Sequence, residues 1–281
     1  MENKIKSIRT QILIKVLCNI YRDRLISEQA ECIPLTRKKN ILVIAPHADD
    51  EIIGCAGFIQ ECIKNNIHIY VLCVTVEDER SVVQPTYESG ENIRILECNE
   101  VKKFLGYNFV EYLRIPERSY FNNQKYIDKL KCKICELMSS FDIDTVFIPN
   151  YYDKNPDHRY ICSISIEAIK DHLSNMKSYP KSLKSIFLYE VWGPTNATHY
   201  YALSNNQYQN KLISMGLYKT QMNAVNYCQI IETINRLRVA DFKAIKNKKK
   251  LASNHFDYME FFEKVDLVNL NEYLISIQKE L

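Results

Sequence analysis

The sequence predicts an α/β protein: a Rossmann-like, mostly parallel sheet with helices on both faces, in a single domain with a helical C-terminal extension. Two observations carry that expectation. Apolar, strand-like runs recur at Ile41–Ala45, His68–Val76, Phe109–Ile115, Thr145–Pro149 and Ser185–Val191. Segments with helical character lie between them, and strand alternating with helix implies a parallel sheet buried between two helical layers.

Taken in order, the first strand empties into a histidine and three carboxylates, in ILVIAPHADDEIIGCAG from Ile41 to Gly57. Helix Glu51–Lys64 follows, with acidic residues in its first turn, where they cap free amides and suit the helix dipole. A helix over Glu88–Leu105 follows the second strand and stops at Gly106, a residue able to take the left-handed cap conformation. Helices over Tyr126–Phe141 and His158–Asn175 bracket the fourth strand. After about Gly193 the chain turns Tyr- and Asn-rich, then helical from roughly Asn206. The expected division is residues 1–38 as an N-terminal helical extension and 39–281 as the main domain.

Composition narrows the functional classes. A chain of 281 residues with 46% hydrophobic and 25% charged residues supports a sizeable core. Its net charge of +3 is too mild to argue for nucleic acid. The one basic run, Lys243 to Lys250, reads as a solvated helix face. The ten cysteines are scattered through mostly apolar runs. Cys132 and Cys135 form a CxxC, but no second pair completes a zinc site, so reduced thiols in a cytoplasmic protein fit best. Lys4, Lys6 and Arg9 precede the apolar stretch Ile12–Ile20 as in a signal peptide, yet Lys15 interrupts it and no small-residue cleavage site follows. No stretch reaches the roughly 20 apolar residues of a spanning helix. An amphipathic leading helix, packed on the domain or on a partner, is expected, and a homo-oligomer is compatible with the chain.

The chemistry concentrates at strand ends. Asp49, Asp50 and Glu51 repel one another, and an unpaired buried carboxylate is expensive; a cation is the simplest neutraliser. His47 and Asp50 can turn to one point, and the third ligand of a catalytic zinc should come from another strand end in the same crevice. The segment Asn155-Pro156-Asp157-His158, closely following the fourth strand, is the obvious donor. His47, Asp50 and His158 then make a His2Asp site, leaving Asp49 to take a proton from the activated water. Each segment also has a plain reading as a helix start. The same ligand set also suits non-haem iron in an oxygenase.

These residues carry a family resemblance. PHADDE with a later NPDH resembles the (A/P)HPDDE and HPDH segments of the PIG-L/LmbE-like family of zinc-dependent N-deacetylases. Arg94 and Glu97, then Leu105-Gly106, look like its RxxE…LG helix. Pro116-Glu117 sits where a Pro-Asp-Gly turn is usual, Tyr189–Trp192 resembles the following strand, and Tyr258–Phe262 looks like a YAEAF tail. The resemblance spans about residues 38–265. It implies Zn2+ on His47, Asp50 and His158, Asp49 as general base, and Asp157 orienting a neighbouring histidine. Arg94 and Glu117 fall where the family contacts the sugar; on residue type alone Arg94 reads as a salt-bridge partner on a helix surface. The implied activity is removal of acetyl from an N-acetylated sugar or glycoconjugate precursor of N-acetylglucosamine type.

Two positions depart from the pattern. Ala48 replaces a proline, which removes no functional group. Asn155 replaces the first histidine of HPDH; its amide can donate to an oxyanion but cannot carry a proton to the leaving amine. Either Asn155 suffices, or another group such as His199 or His255 supplies the acid, or the chain is a catalytically weakened sugar-binding member. Tyr200, Tyr201, Tyr208, Tyr218 and Tyr227 could form a wall for sugar stacking, or simply pack.

Overall fold

The computed structural model describes residues 26–35, 39–76, 92–119, 123–175, 183–223, 225–245 and 256–280. In chain order the elements are β1 (Glu31–Cys32), β2 (Asn40–His47), α1 (Asp50–Lys64), β3 (His68–Thr75), α2 (Ile93–Leu105), β4 (Phe109–Tyr112), α3 (Gln124–Ser140), β5 (Thr145–Pro149) and α4 (Pro156–Asn175). There follow β6 (Ser185–Tyr189), β7 (His199–Leu203), α5 (Asn205–Leu217), α6 (Lys219–Met222), α7 (Tyr227–Ile245), β8 (Tyr258–Val265) and α8 (Leu270–Glu280).

The strands form one sheet in the order β1-β7-β8-β6-β5-β2-β3-β4. All neighbours pair in parallel except β8, which runs antiparallel to both β6 and β7. The α/β, mostly parallel arrangement expected from the alternating pattern is therefore the one observed.

Alternation along β2 explains why both faces are covered. Ile41, Val43 and Ala45 enter a core shared with α1, α2 and α5, whereas Leu42 and Ile44 enter a second core with α3, α4 and α8. Every residue from Ile41 to Ala45 is at most 1% exposed, so the strand reads as a continuous apolar run. Gly106 caps α2 at φ 89°, the left-handed conformation its position calls for.

The tail departs from the helical extension expected of it. It does hold α5 to α8, but β7 and β8 return to the sheet between them. HYYAL and YMEFFEKV have the aromatic character of strands. Two glutamates, Glu260 and Glu263, break the apolar run of β8, and both are buried because partners are waiting. Glu260 is paired with Lys211 at 2.7 Å, and Glu263 accepts from the Thr195 hydroxyl at 2.6 Å. Residues 1–25, where the leading helix is expected, and His255 lie outside the described residues. The described part of the first 38 residues forms a turn and β1, and Ile26 and Ala30 join a small core with Phe242 and Phe261. Among the described residues no helix is long and apolar enough to cross a membrane.

Candidate metal centre and active site

Strand order reverses between β2 and β5: β2 pairs with β3 on one side and β5 on the other. A crevice opens at the carboxyl ends of strands at such a switch point. His47 is the last residue of β2, and the loop from Asn150 to Asn155 leads from β5 into α4.

Backbone geometry sets the acidic residues. Asp49 is the N-cap of α1 at φ 131°, a region side chains rarely occupy. Its carbonyl accepts from the amides of Ile52 and Ile53, while its own amide donates to Glu51 Oε2 at 3.2 Å. The amide of His47 donates to Asp50 Oδ2 at 2.9 Å, which ties the start of α1 to the end of β2.

His47 Nδ1, Asp50 Oδ2 and His158 Nε2 form a nearly equilateral triangle. Nδ1 lies 3.1 Å from Asp50 Oδ2 and 3.2 Å from His158 Nε2, and the third edge is 3.1 Å. In a tetrahedral zinc site with bonds of about 2.0–2.1 Å, ligand atoms lie roughly 3.3–3.4 Å apart. Two ring nitrogens that face each other at this distance cannot both point a proton inward, and they share one buried carboxylate. Two imidazoles and one carboxylate around a common point are the donor set a divalent transition metal takes. The residues therefore fit the metal that the motifs imply.

The far nitrogens are backed by carboxylates, which fixes tautomer and ring orientation. His47 Nε2 lies 3.1 Å from Asp157 Oδ2, and His158 Nδ1 lies 3.3 Å from Asp153 Oδ2. Asp153 is itself positioned by the amides of Asn155 and Trp192, each at 2.8 Å. A lone aspartate in the stretch YYDKN shows no spacing that would single it out, so Asp153 is a site residue the sequence reading missed.

The charge balance records how confined these groups are. Burial opposes protonation of both histidines. Even so, Asp157 and Asp50 push His47 well above its usual value, and Asp50 and Asp153 raise His158 to about 9. Burial raises Asp49 well above the usual carboxylate range, reinforced by Asp50. Burial works the same way on Asp50, but His158 and His47 outweigh it and hold that carboxyl well below the range. Burial lifts Glu51 to about 7 even though Tyr218 donates to its Oε1 at 2.7 Å.

Asn155 precedes α4 and accepts from the amide of Asp157 through Oδ1 at 2.9 Å, a helix-capping contact. Arg94, near the start of α2, lies 3.5 Å from Glu117 Oε1, and both side chains are largely buried. With its amide oxygen turned toward Arg94, as the hydrogen bonding requires, Gln221 accepts from Nη2 and Nε at 3.0 Å. Glu97 from the same helix accepts from the amide and hydroxyl of Thr220 at 2.8 and 2.6 Å. The short helix α6 is thus clamped beside the site by α2.

The tail tyrosines separate into different roles. Tyr208 stacks on Tyr258, Tyr200 packs on Phe242, and Tyr201 meets Phe58 and Glu61. Tyr218 holds Glu51. Tyr227 packs on Trp192, and its phenol is pushed up to about 12 by burial and then by Asp49 and Asp50. His199 packs edge-on against Phe187 and bonds to Thr198.

An α/β protein with a His-His-Asp group at its switch point is thereby defined. Residues 42–169 match the family model PIG-L, described as GlcNAc-PI de-N-acetylase. That stretch is similar to the PIG-L family, and it contains His47, Asp49, Asp50, Arg94, Glu117, Asn155, Asp157 and His158. Among solved structures, the N,N'-diacetylchitobiose deacetylase of Pyrococcus horikoshii aligns with TM-score 0.61 at 19% identity, over 83% of this chain and 85% of that one. GalB, the 4-carboxy-2-hydroxymuconate hydratase of Pseudomonas putida, aligns with TM-score 0.65 at 15% identity, over 81% and 96%. A zinc-inhibited teicoplanin deacetylase aligns with TM-score 0.56 at 12% identity, over 82% and 100%. At these identities the likeness shows the fold, and the fold serves a hydratase as well as deacetylases. Reaction type has to be argued from the site.

Proposed function

We propose that this chain is a zinc-dependent deacetylase of an N-acetylated amino sugar of N-acetylglucosamine type or its conjugate. The observation that carries the reading is the triangle of His47 Nδ1, Asp50 Oδ2 and His158 Nε2 with Asp49 buried beside it. Zinc held by those three atoms would supply Lewis acidity toward an acetamide carbonyl and toward water. The PIG-L match and the deacetylases among the structural neighbours support the same reaction class.

The chain's own residues do the rest. Asp49 takes a proton from the attacking water, and its raised affinity for protons suits that task. The oxygen adds to the acetamide carbon, the C–N bond breaks, and the proton passes to the leaving nitrogen, giving acetate and a free amine. Asp157 and Asp153 orient the two ligand histidines. Asn155 offers its side-chain N–H to the developing oxyanion while Oδ1 stays on the helix. Arg94 and Glu117 offer a charged pair to the sugar hydroxyls.

The test is acetate release by the zinc-loaded protein from N-acetylglucosamine, N,N'-diacetylchitobiose and nucleotide-linked N-acetylhexosamines. Asp49→Ala should keep zinc and lose most turnover. Wild-type rates in that variant would overturn the mechanism. A second reading rests on Asn155, which brings no titratable proton: a member that binds amino sugars without hydrolysing them. Saturable sugar binding with no acetate released would select it.

A further inference from the structure

The end of β6 is held with unusual thoroughness for a loop. Glu190 accepts from Arg238 Nε at 2.6 Å and from the amide of Thr195 at 2.7 Å, and Arg238 also bonds Asp241 at 2.7 Å. On the other side, Asn150 donates to the carbonyl of Gly193 at 2.9 Å. A Cβ on Gly193 would come within 2.9 Å of both Asp153 Cα and the Tyr152 carbonyl, so only glycine lets the loops lie this close. Between these anchors, the amide of Trp192 donates to the carboxylate of Asp153 that also touches His158. The result is that Trp192 is fixed one residue away from a ligand of the metal triangle.

Its ring meets Tyr227 at 5.7 Å between centroids, tilted by 59°. Both residues are half-buried, so each retains surface open to solvent. Trp192 is tied through Asp153 to His158, and Tyr227 packs on Trp192, so the pair stands beside the metal triangle. Neither residue belongs to the stretch that matches the PIG-L model.

The geometry points to Trp192 and Tyr227 as a paired aromatic platform that takes the apolar face of the substrate's pyranose ring. A pyranose presents axial C–H groups on one face, and an aromatic ring offers a rigid, partly apolar surface with a negative face to receive them. The metal triangle then addresses the acetamide while the platform sets which ring is accepted and at what angle. This inference rests on the proposed action on an amino sugar and names the part of the chain that selects it.

The chain's sole tryptophan is Trp192, so its fluorescence reports the platform directly. The zinc-loaded full chain is titrated with N-acetylglucosamine and N,N'-diacetylchitobiose, and with N-acetylethanolamine, which carries the acetamide but no ring. Either sugar should change the Trp192 emission saturably, and N-acetylethanolamine should not. Tyr227→Leu, which keeps apolar bulk without a ring, should weaken sugar binding about tenfold, a loss of about 1.4 kcal/mol. Tyr227→Phe should bind within about twofold of wild type, which separates loss of the ring from loss of fold. Acetate is measured in the same samples. Sugar-dependent emission without acetate would overturn deacetylation and leave the platform standing. Acetate release with unchanged KM in Tyr227→Leu, or no emission change with either sugar, would overturn the platform.

Discussion

Tyr218 donates its phenol proton to Glu51 Oε1 at 2.7 Å, joining the end of α5 to the first turn of α1 across 167 positions of sequence. The other oxygen of Glu51 accepts from the amide of Asp49. A residue of the C-terminal half thus steadies the strained turn that presents the proposed base. Tyr218→Phe keeps the ring and strands the carboxylate oxygen. We expect a loss of about 1–3 kcal/mol in urea unfolding and a fall in kcat larger than any change in KM. Unchanged stability would show that Glu51 needs no partner there.

Asp49 combines a φ of 131° with near-complete burial. Glycine adopts that conformation without strain worth about 1–3 kcal/mol. Asp49→Gly should therefore unfold at the same urea concentration as wild type or a higher one, while acetate release disappears. A clear drop in stability would mean that the carboxylate holds the turn together rather than being held by it.

Asp153 backs His158 as Asp157 backs His47. Removing such a partner typically costs 10–100-fold in metal affinity, a range of roughly one to two decades. Competition with a chelator should show that loss for Asp153→Asn, with the far-ultraviolet spectrum unchanged. Wild-type affinity would remove Asp153 from the site.

Lys211 and Glu260 are both fully buried, 2.7 Å apart, and Glu260 also accepts from the amides of Gly57 and Phe58 in α1 at 2.8 and 2.9 Å. Breaking such a pair from one side leaves a buried charge uncompensated and costs about 3–5 kcal/mol. Lys211→Met should be destabilised on that scale, and adding Glu260→Gln should recover part of the loss. Additive effects in the double variant would show that the pair is not coupled.

Metal bound to the folded chain alone stabilises it by mass action, by about 4 kcal/mol at a thousandfold excess over Kd. Zinc should raise the melting temperature of the chelator-stripped chain, and His47→Ala should abolish the rise. An equal rise in both would place the stabilising ion elsewhere.

The legible part of the molecule is the part that local pattern determines. His47, Asp49 and Asp50 stand together in one segment, and His158 sits in a second segment right after a strand; the structure brings His47, Asp50 and His158 to one point. Strands β2, β3 and β5 announce themselves because both of their faces are buried and their sequences are continuously apolar. What escapes is set by contacts that only the folded chain makes. Asp153 matters only because His158 is turned toward it. Glu260 looks like a surface residue until Lys211, forty-nine positions earlier, is folded beneath it. Strand β8 goes unread for the same reason.

The antiparallel strand β8 also sets an order in time. A chain leaving the ribosome has His47, Asp50 and His158 available long before Tyr258 emerges, yet the carboxylate that braces α1 and neutralises Lys211 arrives only with β8. Until then α1, which carries the proposed ligand Asp50, lacks the brace that Glu260 supplies. Bracing of the helix that carries Asp50 is thus tied to the emergence of β8. Nascent chains arrested before residue 258 should be cut by protease within α1, whereas chains arrested after β8 has emerged should resist.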